Sequence, residues 1–226
     1  MYLVIVFDVV GVIIGTVLGC KIKKYLSPRL SDSIDLALAV VSIAIGVGLL
    51  NKAAHMPAAV IAFLIGGVLG HFLQIDYRLK TVSTRFPDSG TGETADFLLM
   101  AFTLYCISTT GIIGALELGF SGDATVLITK AIMDFTASVF FAAKSGWTLS
   151  LISVPLFGIL TFFYAISMWL MPYLTPEIIG NFSACGGLIQ LLNGLRIAKI
   201  KNPPVADYMP ALILVFGVSM FWSKFM

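Results

Sequence analysis

Lys130 and Asp134 stand four residues apart inside an otherwise apolar run from Ala124 to Ala143, long enough to cross a bilayer. A charge at mid-membrane costs roughly 2.5 to 3.5 kcal/mol on insertion scales, so each head requires a partner or a water-filled cavity. Helical spacing of four sets both heads on one face, where ammonium and carboxylate can satisfy each other, and Ser138 continues that face. Such a pair offers charge exchange: it loosens when an ionic solute or a coupling ion binds. Its plainer role is a buried ion pair that only locks helices together.

Two other stretches carry polar groups into apolar surroundings. Ser108, Thr109, Thr110 and Gly111 lie near the middle of one segment. Gly186 and Gly187 lie in another, between Ser183 and Gln190, with Asn193 and Gly194 following. Hydroxyls that bond backbone carbonyls and glycines that weaken a helix could open either segment at depth. Small residues equally let helices approach closely in lipid. Asp8 precedes Gly11 by three residues and shares the face of Gly11, Gly15 and Gly19, so it should point into the bundle. The same glycine face suits internal packing or a homo-oligomer. Pro155 reads as a helix kink.

Enzymatic chemistry is not expected. The sequence has no nucleophile with a base, no metal constellation and no phosphate-cradling loop, so no catalytic residue, metal or cofactor is expected. His55 and His71 lack a second ligand at suitable spacing. Cys20, Cys106 and Cys185 are odd in number, lie in or beside helices, and read as small core residues.

Composition fixes the elements that must hold these groups. With 58% hydrophobic residues, 12% charged and a mean hydropathy of +0.99, the chain is far more apolar than a soluble domain. It reads as an all-α, polytopic membrane protein whose surroundings are the lipid bilayer. A net charge of +2 without a long basic run excludes a nucleic-acid partner. Eight apolar segments can be drawn, at 3–20, 35–50, 57–75, 97–119, 124–143, 149–172, 177–196 and 205–222. If they cross alternately, one side receives Lys21, Lys23, Lys24, Arg29, Arg78, Lys80, Arg85, Lys144, Arg196, Lys199 and Lys201, while the other receives Lys52 and Lys224. That asymmetry predicts eight crossings of the cytoplasmic membrane with both termini outside the cytoplasm. Removing the weak seventh crossing would put Arg196, Lys199 and Lys201 on the wrong side. The first segment lacks a basic leader region and reads as a mature helix.

A shift of 146 residues lays Gly48, Leu49 and Pro57 on Gly194, Leu195 and Pro203. The shift relates segments one to three with six to eight, an odd offset that reverses membrane orientation. Residues 1–226 then form a single integral membrane domain with repeat halves 1–76 and 149–226 and helices 97–143 between. Inverted repeats are common in secondary transporters, whose sites form near mid-membrane.

The run from Phe97 to Gly146 resembles the central region of the YqgA and YdfK family of prokaryotic membrane proteins, domain of unknown function 554. The resemblance rests on Phe102, Cys106, Ile113, Gly114, Gly119, Gly122, Asp123, Thr129, Lys130, Asp134 and Gly146. Gly186, Gly187, Gly194 and Leu195, followed by Pro210, Ala211 and Leu212, are similar to the family's carboxy-terminal pattern. Where the family usually carries glycine and proline after the cysteine, this chain has Ser108 and Thr109, so a proline-broken helix is not implied. A Gln-Gly pair after Pro155 is absent, and Asp8 stands where Asn is frequent. The resemblance implies the architecture and says little about substrate.

The function expected from these readings is a small secondary transporter for a small polar or ionic solute. Its site would draw on Lys130, Asp134, Ser138, Asp8, Ser108, Thr109, Thr110, Gly111, Gly186, Gly187, Gln190 and Asn193. A channel would need a continuous polar pore instead. A structural or regulatory membrane protein would use the buried charges only for packing.

Overall fold

The computed structural model describes residues 2–25, 27–83 and 92–225, and among them there is no β-strand. The α-helices are α1 (Leu3–Ile22), α2 (Pro28–Leu50), α3 (Met56–Leu73), α4 (Ile75–Ser83), α5 (Gly92–Cys106), α6 (Thr109–Phe120), α7 (Thr125–Ser145), α8 (Ser153–Leu170), α9 (Pro176–Ile197) and α10 (Met209–Phe225). Seven stretches among the described residues are long and apolar enough to span a membrane. One of them, Thr125–Tyr173, has 49 residues. At about 1.5 Å per residue it would be roughly twice the length a bilayer needs. It divides into α7 and α8, because Gly146 takes φ 71° and the chain continues as a 3₁₀ turn, Gly146–Ile152. The eight expected segments are therefore all helical.

Polarity decides which helices sit inside. The least apolar spans, Ala101–Phe120 and Pro176–Ile197, are 67% and 72% buried, whereas the most apolar, Leu3–Ile22, is 33% buried. Polar helices shelter behind apolar ones that present Leu, Ile, Val and Phe outward.

The chain forms two compact units. The first comprises residues 1–34 and 80–173, the second 35–79 and 174–226. In the first unit α1 runs parallel to α7: Gly11 lies against Ala131 and Phe135, Gly15 against Phe135 and Ser138, and Gly19 against Val139 and Ala142. A Cβ on Gly15 would come within 2.6 Å of the Phe135 carbonyl oxygen, so the backbones touch because that atom is missing. α6 runs parallel to α8, with Gly111 near Leu160 and Gly119 against Tyr164 and Ser167. The glycine face of α1 is thus taken up by packing within the chain.

In the second unit the pairings are antiparallel. Gly46 of α2 meets Gly187 of α9, and Gly180 meets Lys52, while Gly66 and Gly70 of α3 meet Ala211 and Asp207 at the start of α10 and the turn before it. These units do not follow the repeat halves: segments two and three pair with seven and eight.

The structure separates readings that the sequence left open. Gly186 and Gly187 do not open segment seven. α9 is one continuous helix, and Gly187 serves close packing against Gly46. Segment four does break, at Ile107 and Ser108, without any proline. Pro155 lies in the first turn of α8, where no intrahelical acceptor awaits its missing N–H. Gly48 faces open space while Gly194 packs on Ile43 and Ala39, so these two glycines play different packing roles.

Candidate functional site

α7 carries Lys130, Asp134 and Ser138 one turn apart, and all three are buried. The Lys130 ammonium donates to Asp134 Oδ2 and also, at 3.3 Å, to Asp8 Oδ2 of α1. Asp8 has no exposed surface, Lys130 3% and Asp134 6%. The glycine contact between α1 and α7 explains why Asp8 arrives there. Parallel helices in backbone contact bring a residue one turn before Gly11 level with Lys130. The pair expected from sequence is in fact a triad of two carboxylates and one ammonium.

Ser138 ties the triad to α5. Its hydroxyl donates to the Asp134 carbonyl oxygen at 2.6 Å, and its Oγ lies 3.2 Å from the Tyr105 hydroxyl. Tyr105 is fully buried and packs edge-on against Phe141. Sequence reading missed Tyr105, since one aromatic in an apolar helix carries no signal until a hydroxyl faces it.

The break between α5 and α6 lies beside this triad. Ser108 is extended, with φ −69° and ψ 121°, and its carbonyl accepts the first helical bond, from Ile112 N–H at 3.1 Å. The amides of Thr109, Thr110 and Gly111 therefore have no acceptor within α6, and the last carbonyls of α5 have no donor within α5. Such ends carry partial charges, positive at the start of α6 and negative at the end of α5. Gly111 lies under the Lys130 stem: a Cβ there would come within 2.5 Å of Lys130 Cε and 3.1 Å of Cδ. Thr109 is buried, and neither its hydroxyl nor Asp8 Oδ1 has a hydrogen-bond partner among the described residues.

The first unit thus gathers Asp8, Lys130, Asp134, Ser138 and Gly111, with Thr109 beside the break. Gly186, Gly187, Gln190 and Asn193 belong to the second unit. There Ser42 donates to the Gln190 backbone carbonyl at 3.0 Å, and the buried Asn193 amide meets no hydrogen-bond partner among the described residues. Asn181 donates to Ser219 Oγ at 3.1 Å and accepts from His55 N–H at 2.7 Å.

A second charged cluster was hidden in the sequence. Arg196, counted there as a loop charge, is buried at the end of α9 and donates to Asp76 Oδ1 at 3.4 Å. Asp76 also accepts from Ala206 N–H at 3.2 Å, and its own N–H donates to Asp207 Oδ1 at 2.8 Å. The available signal was positional: Asp76 opens α4 and Asp207 lies in the turn before α10, sites where carboxylates satisfy free amides. This cluster fastens helix ends within the second unit and contains no broken helix.

Comparison with known proteins places the geometry in context. Residues 3–220 match the family described as Protein of unknown function (DUF554). The chain is 34% identical to the Uncharacterized protein YqgA of Escherichia coli (strain K12), over 94% of each chain. It is 24% identical to the Uncharacterized membrane protein YdfK of Bacillus subtilis (strain 168), over 97% of this chain and 98% of that one. No solved structure matches.

Proposed function

The chain belongs to the DUF554 family, and on that premise we propose that this membrane protein is a small secondary transporter for a small polar or ionic solute. It would reside in the cytoplasmic membrane with both termini outside the cytoplasm. The observation that carries the reading is the juxtaposition of a buried charge triad with a helix broken inside its span. Buried charges within a membrane are costly and are retained mostly where they act. A broken helix offers backbone amides and carbonyls to a ligand at the same depth, as discontinuous helices do in many transporters. Solute binding would compete for Lys130 or for its two carboxylates, so site and switch are the same groups.

A ligand-stabilisation screen tests this directly. Purified protein is heated with a panel of small organic ions, amino acids, sugars and inorganic ions. A solute at 100 times its Kd stabilises the native state by about 2.7 kcal/mol, a clear rise in Tm. The expected result is a rise with one chemical class that disappears in Asp134→Asn. A rise unaffected by any triad substitution would move the site elsewhere.

A further inference from the structure

The triad holds two carboxylates and one ammonium, none with more than a trace of exposed surface. If all three are ionised, one negative charge is left over in a low-dielectric interior. The site must therefore take up one further positive charge or expose itself to water. Asp8 Oδ1 is the unsatisfied atom where that charge belongs: it is fully buried, and no donor among the described residues reaches it. The carboxyls of Asp8 and Asp134 converge on one ammonium, Lys130 Nζ donating to an oxygen of each. Two carboxyls can share a hydrogen bond only when one carries a proton.

We propose that the triad holds one exchangeable proton, bonded to one carboxyl and donated to the other, and that this proton is the coupling ion of the transporter. The inference rests on the transport reading for its second half only. A metal cation suits the place less well, because it would sit against the Lys130 ammonium, which already bridges both carboxylates. Tyr105 and Cys106 of α5 also face the triad. Both are neutral hydrogen-bonding groups that leave the charge count unchanged. Release frees the proton to water as the carboxyls separate. Binding forms one O–H bond, and no other bond changes.

Infrared difference spectroscopy tests the proton independently of transport. Full-length protein in phosphatidylcholine vesicles is stepped from acidic to alkaline pH, and the C=O stretch of buried carboxylic acid is followed. The wild type should lose one carboxylic acid as the pH rises. Asp134→Asn and Asp8→Asn should each lack that signal, because either leaves Lys130 with one carboxylate and a balanced site. These variants should fold, since Lys130 keeps a partner in both. Lys130→Met should strengthen the signal, because two carboxyls then face each other without a cation. A wild-type spectrum whose carboxylic acid signal survives both Asp→Asn changes overturns the proposal. So does a signal abolished by sodium replacing choline at constant pH, which would make the site a metal-cation site. Solute flux without this signal removes the proton and leaves the transporter; the signal without any solute flux does the reverse.

Discussion

Asp8 changes what substitutions at the triad must do. Lys130 has two carboxylate partners, so Asp134→Asn does not strand it and should lose no more than about 1.5 to 3 kcal/mol, the range for a hydrogen bond to a charged group. Lys130→Met leaves two carboxylates without a cation, and removing one partner of a buried pair typically costs about 3 to 5 kcal/mol. Pairing Lys130→Met with Asp134→Leu still strands Asp8, so it should remain destabilised. Adding Asp8→Asn should recover stability. Thermal unfolding in detergent reads the order, and a double variant as stable as the triple would mean that Asp8 needs no cation. The four-residue spacing made Lys130 and Asp134 legible in the sequence, and Asp8 was legible as an inward-facing residue. Their meeting was not, because it depends on two helices far apart in the chain touching at backbone distance.

The α1–α7 contact is the element that sets this meeting. A methyl on Gly15 or Gly19 would collide with α7 backbone, whereas one on Gly11 would find Phe135 Cβ at an ordinary 3.6 Å. Gly15→Ala and Gly19→Ala should therefore destabilise by about 1 to 3 kcal/mol, the usual cost of overpacking. Gly11→Ala should be tolerated, and unfolding midpoints of the three variants check the gradient. At the start of α7, Asp123 Oδ1 accepts from Thr125 N–H at 2.9 Å, and this bond holds the exposed carboxyl below its ordinary value. A depressed folded pKa stabilises above the unfolded value, about 3.9, and its contribution is lost as pH falls through the folded value. Asp123→Asn should remove this small acid-side dependence, measured as the difference in unfolding midpoint between pH 6 and pH 3. The break between α5 and α6 was legible from Ser108 to Gly111, but the glycines of α9 gave the same local signal and broke nothing. What separates them is the neighbour: Gly187 meets a glycine on α2, which closes the seam, while Gly111 meets a lysine stem.

For the whole molecule, the contacts inside each unit bear on how the chain is threaded. Segments one and five run parallel, as do four and six, while two and seven, and three and eight, run antiparallel. Eight alternating crossings give these relations. On the proposed topology, the eleven-to-two division of Lys and Arg would set the side. A reporter fused after Met226 should lie outside the cytoplasm, and one inserted beside Lys80 should lie inside. A cytoplasmic carboxy terminus would contradict the assignment. Hydropathy made the helices legible in the sequence. It did not reveal that the chain folds as two units, because the division depends on which helices touch, and helices far apart in the chain give no local signal of their contact.

On the transport reading, the triad beside the broken helix works rather than merely packs. The measurement that tests it most directly is uptake into liposomes, using the solute class that stabilises the purified protein, by wild type and by the Asp8→Asn, Lys130→Met, Asp134→Leu triple variant. The triple variant keeps a balanced core without charge. Saturable uptake is expected of wild type, and none of a triple variant whose unfolding midpoint is unchanged. Equal uptake by both proteins would contradict it.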